Sequence, residues 1–216
     1  MKTLVILSIG LVGLLPGVLG QGTITQVDYS TALGNRTVHL NPTTPVANGN
    51  TVWLGAFNSG FNVFANRDNP AALLANWNEY DATTIISQVG PANQPGSFNH
   101  TGTSDSAVFD NLRMYLWIFS TVNSQAPEPG FANVTAYGLF TSTSDPDWVF
   151  PAVGTPFPGY IKEIYTGDAV IATRGTVDLA RLTLGSFSPV PEPSTVALLS
   201  VGLPAAVLML RKRRKA

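Results

Sequence analysis

The chain has 216 residues, a formal net charge of −1 and no cysteine, which excludes disulfides, thiol nucleophiles and thiolate metal sites. Six of the twelve Lys and Arg residues lie close to the two ends, so residues 21–190 carry six cations and twelve acids, a net charge of −6. An acidic segment with no basic patch argues against nucleic acid as a partner.

Residues 1–20 have the pattern of a secretory signal peptide. Lys2 supplies a short basic region, residues 4–15 form an apolar stretch, and Val18 and Gly20 are small residues at positions −3 and −1 of a cleavage site. We therefore expect cleavage before Gln21 and export of the rest of the chain.

Residues 21–188 are predicted to form one mainly β body, an antiparallel β-sandwich or jelly-roll-like fold. They are long enough to bury a sizeable core, and short β-branched and aromatic segments alternate with turn residues throughout. Residues 113–119 are the strongest strand, and their two apolar faces indicate a central strand covered on both sides. The other predicted strand segments are 21–40 (one or two strands), 51–57, 83–89, 134–141, 147–150, 169–173 and 177–184.

One short helix is predicted over residues 70–80. Asn69 is a good N-cap, Pro70 suits the first helical position, and Leu73, Trp77 and Tyr80 recur at helical spacing. This helix should pack Trp77 on the sheet. Residues 91–106 and 125–130, rich in Gly, Pro, Asn and Ser, are predicted loops.

The C-terminal tail begins with Pro191, Glu192 and Pro193. Each proline fixes its own φ and disfavours the helical region for the residue before it, so this segment should be extended and stiff. A peptidase cleft binds such a shape at low entropic cost.

An uncharged stretch of sixteen residues, 195–210, follows and could form a helix of roughly 24 Å. This length is short for a hydrocarbon core of about 30 Å, and Pro204 weakens the helix further. A run of five cations then predicts a cytoplasmic end and a topological stop. The cations are Arg211, Lys212, Arg213, Arg214 and Lys215.

Taken in order, the three parts of residues 189–216 resemble the PEP-CTERM sorting signal of Gram-negative bacteria. The resemblance implies processing by an exosortase, a multi-pass membrane peptidase resembling a cysteine transpeptidase, and an association with exopolysaccharide and biofilm. It also implies an inner-membrane intermediate before delivery to the cell surface or extracellular matrix. An ordinary C-terminal anchor after a proline-rich linker is the alternative.

Few residues of the body suggest catalysis or metal binding. His39 and His100 are the two histidines, and neither lies in a recognisable catalytic motif. Asp145 and Asp147 could contribute oxygens to a calcium site, but with Pro146 between them they are more simply a turn. We therefore predict no catalytic residue, no metal and no cofactor.

Three tryptophans could form a platform for sugar rings: Trp53, Trp117 and Trp148. Tyr115, Trp117 and Phe119 alternate along the predicted central strand, and such aromatic residues more often belong to the core. The platform is the alternative interpretation of these side chains.

The sequence thus predicts a non-enzymatic exported protein with a structural or adhesive role, whose partners are an exosortase-type peptidase, the inner membrane and an extracellular polysaccharide. A carbohydrate-binding module is the alternative. A secreted glycan-active enzyme is the third possibility and would need two converging acids, of which the sequence gives no sign.

Overall fold

The computed structural model describes residues 25–31, 36–86, 94–104, 106–151, 161–168 and 170–188. These residues form a mainly β fold with one short α-helix, as predicted. The predicted signal peptide and the predicted C-terminal span lie outside the described residues. Within the described part of the chain, no helix is long and apolar enough to cross a membrane.

The elements follow one another along the chain in this order. They are β1 (Thr25–Ser30), β2 (Thr37–Asn41), β3 (Thr44–Pro45), β4 (Thr51–Phe57), α1 (Pro70–Ala75), β5 (Trp77–Thr84), β6 (Asn99–Ser104), β7 (Tyr115–Thr121), β8 (Val134–Ser142), β9 (Ile161–Tyr165), β10 (Val170–Arg174), β11 (Thr176–Val177), β12 (Arg181–Thr183) and β13 (Gly185–Ser186). The 3₁₀ turns are Ala107–Phe109, Val122–Ser124, Pro129–Phe131 and Pro146–Trp148.

A six-stranded antiparallel sheet forms the middle of the body. Its order is β10-β8-β7-β4-β5, and the short strand β13 also pairs with β8. The register places Trp117 of β7 opposite Trp53 of β4 on one side and Leu139 of β8 on the other. Every residue of β7 after Tyr115 is buried, which confirms the prediction of a central strand covered on both faces.

Successive residues along the strands of this sheet belong to two different hydrophobic clusters, because side chains point alternately to the two faces of the sheet. Leu116 and Ile118 belong to the first cluster, whereas Trp117 and Phe119 belong to the second. All four are fully buried, and burial of each such side chain is worth about 1.5–3 kcal/mol.

Two smaller sheets and a helical layer supply the opposite walls of these clusters. The sheets β6-β1-β9 and β11-β12-β2-β3 contribute Tyr29, Val38 and Leu182 to the first cluster, which gives a sandwich of sheets. Leu73 of α1 and Phe131 close the second cluster. Two pairs, β1 with β9 and β2 with β12, are parallel, whereas antiparallel pairing had been expected throughout.

The helix is shorter than predicted, because it ends at Ala75 and Trp77 begins β5. The Asn69 cap is confirmed, since its Oδ1 accepts a hydrogen bond of 3.1 Å from Ala72 N. Residues 77–84 pair with β4 along its whole length, with Trp77 opposite Phe57. This pairing of a strand rich in aromatic and β-branched residues overrides the helical spacing that the sequence shows.

The predicted loop 91–106 and the predicted strand 147–150 are also wrong in part. Residues 99–104 form β6, a polar strand held by its full-length pairing with β1. Residues 146–148 form a 3₁₀ turn instead of a strand, and only Val149 makes an isolated bridge, to Arg113.

Candidate functional site

The last described residues of the body are tied to the central sheet. Gly185 and Ser186 of β13 lie opposite Tyr137 and Ala136 of β8. The next residue, Phe187, donates its backbone N–H to Thr135 O at 2.8 Å and packs its ring against Tyr137, with the ring centroids 5.4 Å apart. The chain is therefore held in the sheet up to Phe187.

Arg174 fastens this end of the chain with four hydrogen bonds. Its Nη1 donates to Tyr137 O at 2.6 Å and to Gly185 O at 2.8 Å, and its Nη2 donates to Ser186 O at 2.8 Å. Its Nε donates to Asp68 Oδ1 at 3.0 Å. We call Arg174 and the four residues that it contacts here the arginine clamp.

The position of the guanidinium follows from the backbone of β10. The register of β10 on β8 shifts between Ala172 and Arg174, and such a bulge redirects the side chain that follows it. The Arg174 guanidinium carbon consequently lies 3.7 Å from the centre of the Tyr137 ring, and only 10% of the Arg174 side chain is exposed. Burial raises the pKa of the Tyr137 phenol, which donates to Arg67 O at 2.9 Å.

A groove of about 520 Å³ lies directly beside the arginine clamp. Its charged side chains are Arg67, Asp68 and Arg174, and its walls are residues 172–176 and 183–186. Phe64 stands at its edge with 65% of its surface exposed, and the Arg67 guanidinium carbon lies 4.2 Å from the centre of the Phe64 ring. The groove combines an exposed aromatic ring, guanidinium groups and threonine hydroxyls.

The three tryptophans of the alternative sugar platform do not share an exposed surface. Trp117 and Trp148 are fully buried, so neither ring can be reached from solvent. Trp148 Nε1 donates to Asp168 Oδ2 at 3.0 Å, which ties the buried ring to the β9–β10 turn. Trp53 is half-buried and packs against Trp117, with the ring centroids 5.6 Å apart. The core interpretation of these aromatic residues is the one that the structure favours.

Trp77, which the sequence placed on a helix, completes the aromatic layer beside Trp53 and Trp117. The Nε1 atoms of Trp77 and Trp117 are buried and have no hydrogen-bond acceptor in the described part of the chain. The two rings meet edge-on, with centroids 5.3 Å apart and an angle of 80°. Such contacts offer an indole N–H the face of a ring as a weak acceptor.

The two histidines lie in separate surroundings. Thr37 Oγ1 and His39 Nε2 are 2.8 Å apart, and burial together with the nearby charge of Arg181 lowers the pKa of His39. His100 Nε2 lies 3.3 Å from Asp81 Oδ2.

The same Asp81 oxygen accepts a hydrogen bond of 3.1 Å from the Tyr29 hydroxyl. Burial, followed by the charge of Asp81, raises the pKa of the Tyr29 phenol, which therefore stays protonated and donates. Asp81 thus joins β1, β5 and β6. The prediction of a loop at His100 did not anticipate this contact.

The acids that could have formed a calcium site are engaged as a turn. Asp145 Oδ1 accepts the N–H of Asp147 at 2.8 Å, and the Asp147 carboxylate lies 2.9 Å from Lys162 Nζ. Across the described residues, no group of three His, Asp or Glu side chains is placed to hold a metal ion.

A second Pro-Glu-Pro tripeptide, residues 127–129, lies within the body. Glu128 N donates to Asn133 Oδ1 at 2.8 Å, and Phe131 N donates to Glu128 O at 2.8 Å. Because Phe131 is buried and Gly130 has a φ of 69°, the chain turns back immediately after this tripeptide. It is a folded loop and not a free extended segment.

Residues 189–214 match the family described as PEP-CTERM protein-sorting motif. This segment contains Pro191, Glu192 and Pro193 and four of the five terminal cations, Arg211 to Arg214. These residues lie outside the described part of the structure. The comparisons with curated proteins and with solved structures found no match for the chain.

Proposed function

We propose that this protein is exported, held for a time at the inner membrane by its C-terminal tail, and processed by an exosortase before it reaches the cell surface or matrix. There its β body serves as a non-enzymatic structural or adhesive component. The observation that carries the proposal is the match of residues 189–214 to the PEP-CTERM sorting motif.

The geometry of the junction supports processing of a folded body. The chain is held in the sheet up to Phe187, and Pro191 is the fourth residue after Phe187. Four residues span at most roughly 14 Å, so Pro191 stays close to the body. A cut beyond Pro191 therefore removes none of the described strands, and the cleavage product keeps its arginine clamp.

The internal Pro-Glu-Pro at residues 127–129 provides a matched comparison within the same chain. Its hydrogen bond to Asn133 and the buried Phe131 that follows it tie this tripeptide into the body, so it is not free to enter a peptidase cleft. It also lacks an apolar span and a cationic stop after it. Sorting should therefore depend on Glu192 and be indifferent to Glu128.

A structural or adhesive role is supported by the way in which the body is stabilised. The chain has no cysteine, so the body must persist outside the cell without disulfides. The two buried clusters on either side of the central sheet, one of them dominated by aromatic rings, supply that stability. Such a body is suited to a lasting extracellular component.

The test is the intact mass and the location of the protein in its native host. Wild type and Glu128→Ala should lose the residues after about position 190 and leave the inner membrane. Glu192→Ala, and wild type in a strain lacking the exosortase, should keep the tail and stay in the inner membrane. Unprocessed protein in the inner membrane in all four strains would reduce the tail to a plain anchor.

The extracellular role has its own test, in a strain that lacks this protein. We expect reduced matrix or cell-to-cell attachment, measured as retained biofilm mass under flow. Wild type and Glu128→Ala should restore attachment, whereas Glu192→Ala should not, because it stays at the inner membrane. Full restoration by Glu192→Ala would contradict a role outside the cell.

A further inference from the structure

We propose that the groove beside the arginine clamp is a binding site for an acidic saccharide that carries carboxylates, such as a uronic acid oligomer. The ligand class deepens the adhesive role proposed above and rests on it for its biological setting. The chemistry of the site comes from the described residues of the groove alone.

The groove has one guanidinium that is free to bind. Arg174 already directs its Nε and both Nη atoms at Asp68 and at three carbonyls. Arg67 contacts Asp68 only through its Nε, at 3.5 Å, and its Nη atoms make no hydrogen bond within the described residues. The fork of an arginine matches a carboxylate bidentately. Arg67 therefore presents the anion-binding group.

The charge balance of the groove favours an anion. Arg67 and Arg174 share the single carboxylate of Asp68, so the groove carries a net charge of +1. Residues 21–190 together carry −6. An anionic ligand is therefore repelled by most of the body and attracted here, which gives the site selectivity through electrostatics.

The rest of the lining suits a sugar. Thr173, Thr176, Thr183 and Ser186 contribute neutral hydroxyls, which both donate and accept hydrogen bonds. The Arg67 guanidinium lies over one face of the exposed Phe64 ring, so the apolar face of a pyranose would stack on the other face. A volume of about 520 Å³ lies within the range of ligand sites and fits a short oligosaccharide. A small inorganic anion would use neither the ring nor the hydroxyls.

The test is calorimetric titration of the full-length protein in mild detergent. The probes are trigalacturonate, neutral maltotriose and a peptide of three glutamates, all at physiological salt. We expect saturable binding of trigalacturonate and at least tenfold weaker binding of the other two. If triglutamate bound saturably with the same affinity as trigalacturonate, the groove would recognise negative charge alone. That result would overturn the assignment to a saccharide.

The variants are chosen to separate the groove from net charge. Arg67→Gln should weaken trigalacturonate binding about tenfold, because it removes a charged hydrogen-bonding group. Phe64→Ala should weaken it about fivefold through lost stacking. Lys162→Gln makes the same charge change on β9, away from the groove, and should leave affinity within twofold. Equal losses in Arg67→Gln and Lys162→Gln, or no saturable binding by wild type, would overturn the proposal.

Two further readouts keep this proposal apart from the proposed function. Arg67→Gln should be exported and processed like wild type in the native host, since it lies in the body and not in the tail. Its thermal unfolding midpoint should also stay close to that of wild type, because the partly exposed side chain makes one surface ion pair with Asp68 and one contact with the exposed Phe64 ring. Failure of wild type to be processed would refute the sorting proposal alone, whereas failure to bind trigalacturonate would refute the groove alone.

Discussion

Replacing Arg174 with methionine should release the last strand of the body before the rest of the domain unfolds. Methionine keeps an apolar chain to pack on the Tyr137 ring, so the change removes the hydrogen bonds and the charge more than the packing. The bonds lost are those to the carbonyl oxygens of Tyr137, Gly185 and Ser186 and the ion pair with Asp68.

The magnitude follows from these four contacts. Asp68 is 71% exposed, so its ion pair with Arg174 contributes less than about 1 kcal/mol. Each of the three hydrogen bonds to carbonyl oxygens contributes about 1 kcal/mol. Water can reach the carbonyls at the edge of the body once the guanidinium is gone, which recovers part of the loss. The free energy of unfolding should therefore fall by about 2–3 kcal/mol.

Urea unfolding and amide hydrogen exchange together check this prediction. The N–H of Phe187, which is bonded to Thr135 O, should exchange much faster in Arg174→Met, whereas the amides of β7 should lose protection only in line with global stability.

The matched control for Arg174 is Arg36→Met. Arg36 also donates from one Nη atom to two carbonyl oxygens, of Thr166 and Asp168, but it lies just before β2, away from β13. Its loss should lower global stability by about 1–2 kcal/mol and leave Phe187 protected. An unchanged free energy of unfolding in Arg174→Met, or unaltered protection at Phe187, would refute the clamp.

Two further changes test the core and the pH response. In Gly55→Ala the added methyl group would overlap the carbonyl oxygen of Asn78, so we expect the free energy of unfolding in urea to fall by about 3 kcal/mol. The control is Gly60→Ala, where no atom lies within 4 Å of the added methyl group. Because Gly60 has a φ of +81°, this change should lower the free energy of unfolding by about 1 kcal/mol. The lowered pKa of His39 means that the unfolded chain takes up a proton before the folded one, so stability should be full above pH 6.5 and fall as the pH drops through the lower folded pKa. His39→Gln should flatten this slope between pH 7.5 and 5.5. A persistent slope in His39→Gln would contradict the assignment.

The strands that the sequence predicts well are those whose own residues carry the signal. β4, β7 and β8 are rich in β-branched and aromatic residues, and the structure places each close to its predicted bounds. β6 could not be predicted, because its sequence Asn-His-Thr-Gly-Thr-Ser has no large apolar residue. Its stability comes from pairing with β1, a segment about seventy residues earlier, and no local pattern records such a partner.

The misplaced end of the helix has a similar cause. Leu73, Trp77 and Tyr80 satisfy helical spacing, but Trp77 and Tyr80 also suit a strand. Pairing with β4 decides in favour of the strand. Gly55 of β4 has no side chain and so leaves room for the Trp77 ring. A Cβ at Gly55 would lie 2.6 Å from a carbon of that ring. A close approach between two strands outweighs local helical preference, and it becomes visible only when both strands are in place.

The arginine clamp and the groove could not be predicted from the sequence, for the same reason. Arg174 is one arginine that directly follows the predicted strand 169–173, and its partners Asp68, Tyr137 and Gly185 are 106, 37 and 11 residues away. By contrast, the sorting motif is contiguous, so its three parts can be recognised from order and spacing alone. Contiguous signals give the destination of this protein, whereas the groove is assembled only by folding.

The position of the arginine clamp has a consequence for the membrane-anchored intermediate that we propose. Any force between the membrane and the body acts on the chain where it leaves the sheet, after Phe187. A strand of two residues paired on one side to β8 has too few ladder bonds to resist such force by itself. Arg174 adds two hydrogen bonds to carbonyls of that strand and a third to its partner strand, so the clamp should carry part of any such load. While the clamp is closed, Pro191 can lie no more than roughly 14 Å from Phe187, so under the proposed sorting route the peptidase would act close to the end of β13.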